Sequence, residues 1–183
     1  MFEPVFANTS STRTGSVLRV LGIDPGLTRC GYAVIDGRGA RSATAVTMGV
    51  ITTPTGDALA QRLAALRVEF TDLIAEFRPD AVAVEQVFFQ VNVRTAMGVG
   101  QASGLALAEA AIAGCEVVQY SPNQVKDAVA GYGNADKAQM QKMVQARLGL
   151  SALPRPADAA DAAAVALCHL AMSPLTRRVR DSA

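Results

Sequence analysis

LRVLGIDPGLTRCGYAVI, residues 18–35, decides the fold. Residues 18–23 (LRVLGI) are a short apolar run, and residues 30–35 (CGYAVI) are another; both have the length and composition of strands. Asp24-Pro25-Gly26 breaks the first run with turn-forming residues. The two runs therefore make a hairpin about a tight loop, with Asp24 at the end of its first strand. Residues 44–52 (TAVTMGVIT) read as a third strand, joined to the second by a turn-rich segment at 37–42. Three consecutive strands with short links predict an antiparallel meander.

Beyond the meander the period changes. Leu59, Leu63, Leu66, Phe70, Leu73, Ile74 and Phe77 recur at spacings of three and four, which predicts a helix over 57–77 with Asp57 as its N-cap. Arg78-Pro79 ends it, and AVAV at 81–84 is a buried strand that leads into Glu85. A Gly- and Ala-rich helix follows over 93–113, then a strand at 116–120 (EVVQY). Ser121-Pro122 is a strong helix start, with Ser at the N-cap and Pro at the first helical position. Helices over 122–130, 135–148 and 157–172 complete the chain. The order βββ-α-β-α-β-α-α-α predicts an α/β fold: a five-stranded mixed sheet, three strands antiparallel and the rest parallel, with helices on its faces. Residues 1–17, rich in Ser and Thr, read as a disordered extension; 18–173 form the domain, and 174–183 a basic tail carrying Arg177, Arg178 and Arg180.

Bulk composition narrows the class without choosing a function. The chain has 183 residues, about one domain. It lacks the long apolar run of a membrane span and the apolar stretch of a signal peptide. Its three cysteines, Cys30, Cys115 and Cys168, have no metal-ligand spacing, so free thiols in a reducing cytoplasm are expected. The charge balance, 17 basic residues against 16 acidic, is not that of an obvious nucleic-acid binder. Binding needs only a local basic patch, however, and a metal site that takes up four carboxylates leaves the rest of the surface more basic.

Four acids stand at element ends among apolar neighbours. Asp24 closes the first strand and Glu85 the fourth; if these strands are parallel neighbours, both side chains meet at the carboxyl edge, where open α/β sheets bind ligands. Asp158 and Asp161 share one face of the last helix's first turn, with alanines around them. Taken singly, each has a plain alternative: a turn cap for Asp24, a solvated loop end for Glu85, helix-dipole complements for the other two. Together they repel one another unless a cation sits between them. Hard divalent ions prefer oxygen ligands, and two such ions about 3.5–4 Å apart can drive phosphodiester hydrolysis. His169, the only histidine, lies eight residues past Asp161, about two turns or ~12 Å along the axis, and reads as structural or surface rather than as a ligand. Cys168 reads as core.

With these residues assembled, the chain resembles the RuvC family of Holliday-junction resolvases. The matching stretches are LGIDPGLTRCGYAVID (21–36), AVEQVFF (83–89), GQASG (100–104), QVKDAVAGYGNADKAQMQKMV (124–144) and PADAADAAAVALCH (156–169). The resemblance implies an RNase H-like fold, a homodimer, Mg²⁺ or Mn²⁺ with two ions per site, and paired incisions across a four-way DNA junction. It also implies a branch-migration helicase of the RuvA/RuvB type as partner. By position, Asp24, Glu85, Asp158 and Asp161 match the catalytic, metal-binding set. Phe88 matches an aromatic that contacts junction DNA, and Lys126 and Lys137 match basic residues used on the DNA backbone. Core packing for Phe88 and ordinary solvation for the lysines are the plain alternatives. Val91, Gly98, Ser103 and Asn123 stand where the family often carries basic residues, which predicts weaker binding and a shallower salt dependence. Gly98, Gly100 and Gly104 within one helix suit close helix approach, either across a two-fold dimer axis or against the chain's own sheet. Three rivals remain: an RNase H-like nuclease acting on RNA or linear DNA, an actin-like ATP-binding lobe, and a metal-free junction-binding module.

Overall fold

The computed structural model describes residues 17–38, 42–87 and 93–180. Its elements run β1 (Leu18–Asp24), β2 (Arg29–Gly37), β3 (Ala43–Thr52), α1 (Leu59–Phe77), β4 (Ala81–Glu85), α2 (Val93–Ile112), β5 (Glu116–Tyr120), α3 (Pro122–Ala130), α4 (Lys137–Leu148) and α5 (Ala157–Arg180). One sheet takes all the strands in the order β3-β2-β1-β4-β5. β1 and β3 pair antiparallel with β2, whereas β4 pairs parallel with both β1 and β5. The predicted meander and the two parallel crossovers are both present.

Successive strand residues point to opposite faces, and the two faces have different covers. Leu21, Ile23, Tyr32, Val34, Val82 and Val84 face α1 and α2, where Leu66, Phe70 and Ile74 join them. Val20, Ala33, Ile35 and Ala83 face the opposite layer, built from α3, α4 and α5. That second layer is packed at very short range. Ala159, Ala160, Ala162, Ala163, Ala164 and Ala166 of α5 are buried against the strands. A Cβ on Gly22 would collide with the carbonyl oxygen of Ala162, and one on Gly31 with that of Asp158. Helix backbone thus rests on strand backbone, and only glycine leaves room for it.

Local boundaries differ from the sequence expectation in three places. α1 begins at Leu59 with Ala58 as its N-cap and no side-chain cap, so Asp57 does not cap it. α4 begins at Lys137, two residues later than expected, because Asp136 and Gln139 form a reciprocal capping box there. α5 runs on past Met172 to Arg180, so the backbone of the basic segment continues the helix. α3 starts as expected, with Ser121 and Gln124 in a capping box and Pro122 in its first turn. The expected extension lies, apart from Val17, outside the described residues. Among the described residues no helix is long and apolar enough to cross a membrane.

Candidate active site

Sheet register brings the first two acids together. Ile23 pairs with Val84 in the parallel β1–β4 ladder, so the next residue on each strand is Asp24 and Glu85. By alternation both fall on the face of Gly22 and Ala83, the face that α5 covers. The two carboxyls are close enough that each shifts the other's ionisation. Gly31 pairs with Asp24 from the other side and supports the Asp158 carbonyl, which sets the first turn of α5 over the strand ends. Asp161 follows one turn on. Asp24, Glu85 and Asp161 line one cleft of about 430 Å³, together with Lys126, Lys137 and Met140. Asp158 stands outside that lining and is held by Arg29, whose Nε and Nη2 donate to its Oδ2 at 2.9 and 2.7 Å.

The lysines arrive through the caps of α3 and α4. Lys137 is the first residue of α4, behind the Asp136 cap, and its Nζ lies 3.6 Å from Asp161 Oδ2. Lys126 lies within α3 and also lines the cleft. The hairpin loop after Asp24 is pinned from behind. Thr53 Oγ1 donates to the Leu27 carbonyl at 2.6 Å, and Arg62 of α1 donates to Thr53 Oγ1 and Thr28 Oγ1.

The cleft holds more negative charge than its walls stabilise. Burial, then the charges of Glu85 and Asp161, push the Asp24 carboxyl up to about 8. Burial and Asp161 also raise Glu85, while Lys137 and Lys126 pull it back. Burial raises Asp161, with Lys137 opposing. Asp24 and Glu85 therefore hold a proton between them more readily than free carboxylates do. The donors are all carboxylate oxygens, which suits a hard divalent cation, and a dication would relieve the repulsion that raises these groups. Among the described residues no three His, Cys, Asp or Glu side chains are gathered to encage an ion as they stand.

The remaining sequence candidates separate cleanly. His169 is buried in the core, its Nδ1 3.0 Å from the Tyr120 hydroxyl. Cys30 and Cys168 are buried free thiols. Phe88 and Val91 lie outside the described residues. Of the positions short of positive charge, Ser103 is buried, Asn123 is exposed on α3, and Gly98 faces Leu27. Arg29 was not predicted as part of the site: it stands 129 positions from Asp158, and nothing local in the sequence links them.

Residues 20–169 match the family described as "Crossover junction endodeoxyribonuclease RuvC". The chain belongs to the RuvC family. Among curated relatives, the RuvC of Salinispora arenicola is 56% identical over 153 residues, covering 84% of this chain and 87% of that protein. The RuvC of Parafrankia sp. is 52% identical over 163 residues, covering 89% and 92%. A solved structure of Thermus thermophilus RuvC in complex with a Holliday junction substrate superposes with a TM-score of 0.83 at 38% identity, over 87% of this chain and 96% of that one. The sheet and its helices are thus those of RuvC, an RNase H-like fold, and the chain is an endodeoxyribonuclease, a hydrolase, of a metal-dependent family.

Proposed function

We propose that this member of the RuvC family carries out its resolution of four-way DNA junctions at a centre formed by Asp24, Glu85, Asp158 and Asp161. The carrying observation is the cleft itself: three of the four acids and two lysines line one cavity at the carboxyl ends of β1 and β4. Carboxylates suit metal, and lysines suit phosphate. The four acids would hold Mg²⁺ or Mn²⁺, two ions per site. Ions there would polarise an attacking water and neutralise the leaving oxygen. The protein's own part is to shed the proton that Asp24 shares with Glu85, to bring Asp158 and Asp161 inward on α5, and to hold the phosphate with Lys126 and Lys137. Phe88, three residues past Glu85, is the proposed stacking contact on unpaired bases. The test is a synthetic four-way junction with Mg²⁺. Wild type should leave paired nicks with 5′-phosphate ends. Removing even an outer-shell partner of a metal ligand costs 10–100-fold, so Asp24→Asn should lose about a hundredfold or more; equal activity would sink the assignment.

The chain acts as a homodimer on this reading, placed through α2. Among the described residues, a Cβ on Gly100 or Gly104 would meet nothing within 4 Å beyond the helix's own backbone, so close packing on the chain's own sheet does not account for them. Beside them lies a groove of about 340 Å³ lined by Val87, Ser103, Leu107 and Gln119, and Met97 is 59% exposed. Symmetric cutting of two strands calls for two symmetric sites. Gly104→Arg should give a folded monomer by sedimentation that no longer makes paired cuts; a dimer that survives would remove α2 from the interface. Work in the cytoplasm beside a RuvA/RuvB-type branch-migration complex completes the proposal, on the family resemblance alone.

A further inference from the structure

Arg29 is the first residue of β2 and sits two positions before Gly31, the partner of Asp24 in the sheet. Its guanidinium makes two hydrogen bonds to a single oxygen of Asp158, and the pair is partly open to solvent, 48% and 31% exposed. The contact draws Asp158 to the rim, away from the lining that Asp24, Glu85 and Asp161 share. By contrast Lys137, 85% exposed and 3.6 Å from Asp161, leaves its acid in the cleft. A carboxylate oxygen that accepts two guanidinium hydrogens has little lone-pair density left for a cation, and the fixed positive charge repels a dication as well.

We propose that Arg29 is a positioning residue that acts through Asp158: it occupies one oxygen of this carboxylate as a resident counter-cation, and it competes there with a divalent ion that would complete its ligand set. The inference rests on the metal-binding reading of the four acids and adds a competitor inside the site. Arg29 thereby sets how tightly the nuclease holds metal before DNA is bound.

The test is Mn²⁺ binding to the DNA-free protein, read from the electron paramagnetic resonance signal of the free ion. Arg29→Ala should bind Mn²⁺ about 1.5- to fivefold more tightly than wild type, the range one partly exposed ion pair covers. Asp158→Asn should abolish that gain, so that the double variant binds like Asp158→Asn alone. Arg29→Lys keeps the charge and loses the fork, and should fall between wild type and Arg29→Ala. It also supplies the answer if the alanine variant does not fold. Unchanged or weaker Mn²⁺ binding in Arg29→Ala, or in Arg29→Lys where only that variant folds, overturns the proposal. Failure of wild type to bind Mn²⁺ at all would instead overturn the metal reading beneath it.

Discussion

The strand-borne acids and the helix-borne acids solve the same electrostatic problem in opposite ways. Asp24 and Glu85 sit at the ends of adjacent parallel strands, and register gives them no separation to adjust; they share a proton and their carboxyls are raised. Asp158 sits on the first turn of α5 and Asp161 one turn later, and each has a cation of the protein within reach, Arg29 and Lys137. Raised carboxyls favour a proton on one pair, and ion pairs offset the charge of the other. On the proposed metal reading, a cation would then compete with a proton on the sheet side and with the protein's own cations on the helix side.

The largest blow to this comparison should come from Gly31→Ala. The new Cβ would run into the Asp158 carbonyl, which is backbone and cannot rotate away, so the first turn of α5 must lift. Overpacking of this kind costs about 1–3 kcal/mol. Thermal unfolding should show it, and junction cleavage should fall with it because the helix pair has moved from the strand pair. A stable, fully active Gly31→Ala would mean that the helix is free to slide.

A smaller effect should appear on titrating the metal-free protein. Folding raises the Asp24 carboxyl from the usual 3.8 to about 8, so the folded state binds more protons than the unfolded state between those values. Stability is then fully present below about pH 4, declines as pH rises, and levels off above about pH 8. Sharing of the proton with Glu85 limits the loss to at most a few kcal/mol. Melting temperatures across that window should fall for wild type and flatten for Asp24→Asn, and added Mg²⁺ should restore most at the alkaline end. Asp158→Asn removes an ion pair and leaves the shared proton, so its pH slope should match that of wild type; a flattened slope there would erase the distinction between the pairs.

The smallest effect belongs to Lys137→Ala. An exposed pair at 3.6 Å contributes about 0–1 kcal/mol, so the melting temperature should barely move. If Lys137 serves phosphate, the slope of log affinity against log salt for junction DNA should drop by about one. A change in stability with no change in slope would return Lys137 to a structural role.

Much of this was legible in the chain itself. Strand alternation and the run into Asp24 and Glu85 give the sheet edge, and the Asp158–Asp161 spacing gives one helical face. These signals are local, and the physics behind them is local too. The errors arise where local rules compete. Asp57 is a good cap by type, yet Asp57 N bonds back to the Pro54 carbonyl in a turn and the helix waits for Leu59. Asp136 is an equally good cap and does serve, two residues beyond the expected start. The last helix, expected to end at Met172, continues as α5 to Arg180. The Arg29–Asp158 pair had no signal at all, because it exists only after α5 has docked on Gly31, more than a hundred positions away.

That docking through glycine and alanine has a consequence for anyone who would redesign the enzyme. Where backbone lies on backbone, the gap between the two backbones that carry the carboxylate pairs is fixed by atomic radii rather than by rotamers. Repacking side chains around the cleft would leave that gap as it is. On the proposed metal reading, a different spacing for cations would mean shifting the whole helix by a register step, whereas changes at Arg29 and the two cleft lysines alter charge and side-chain placement on a constant backbone.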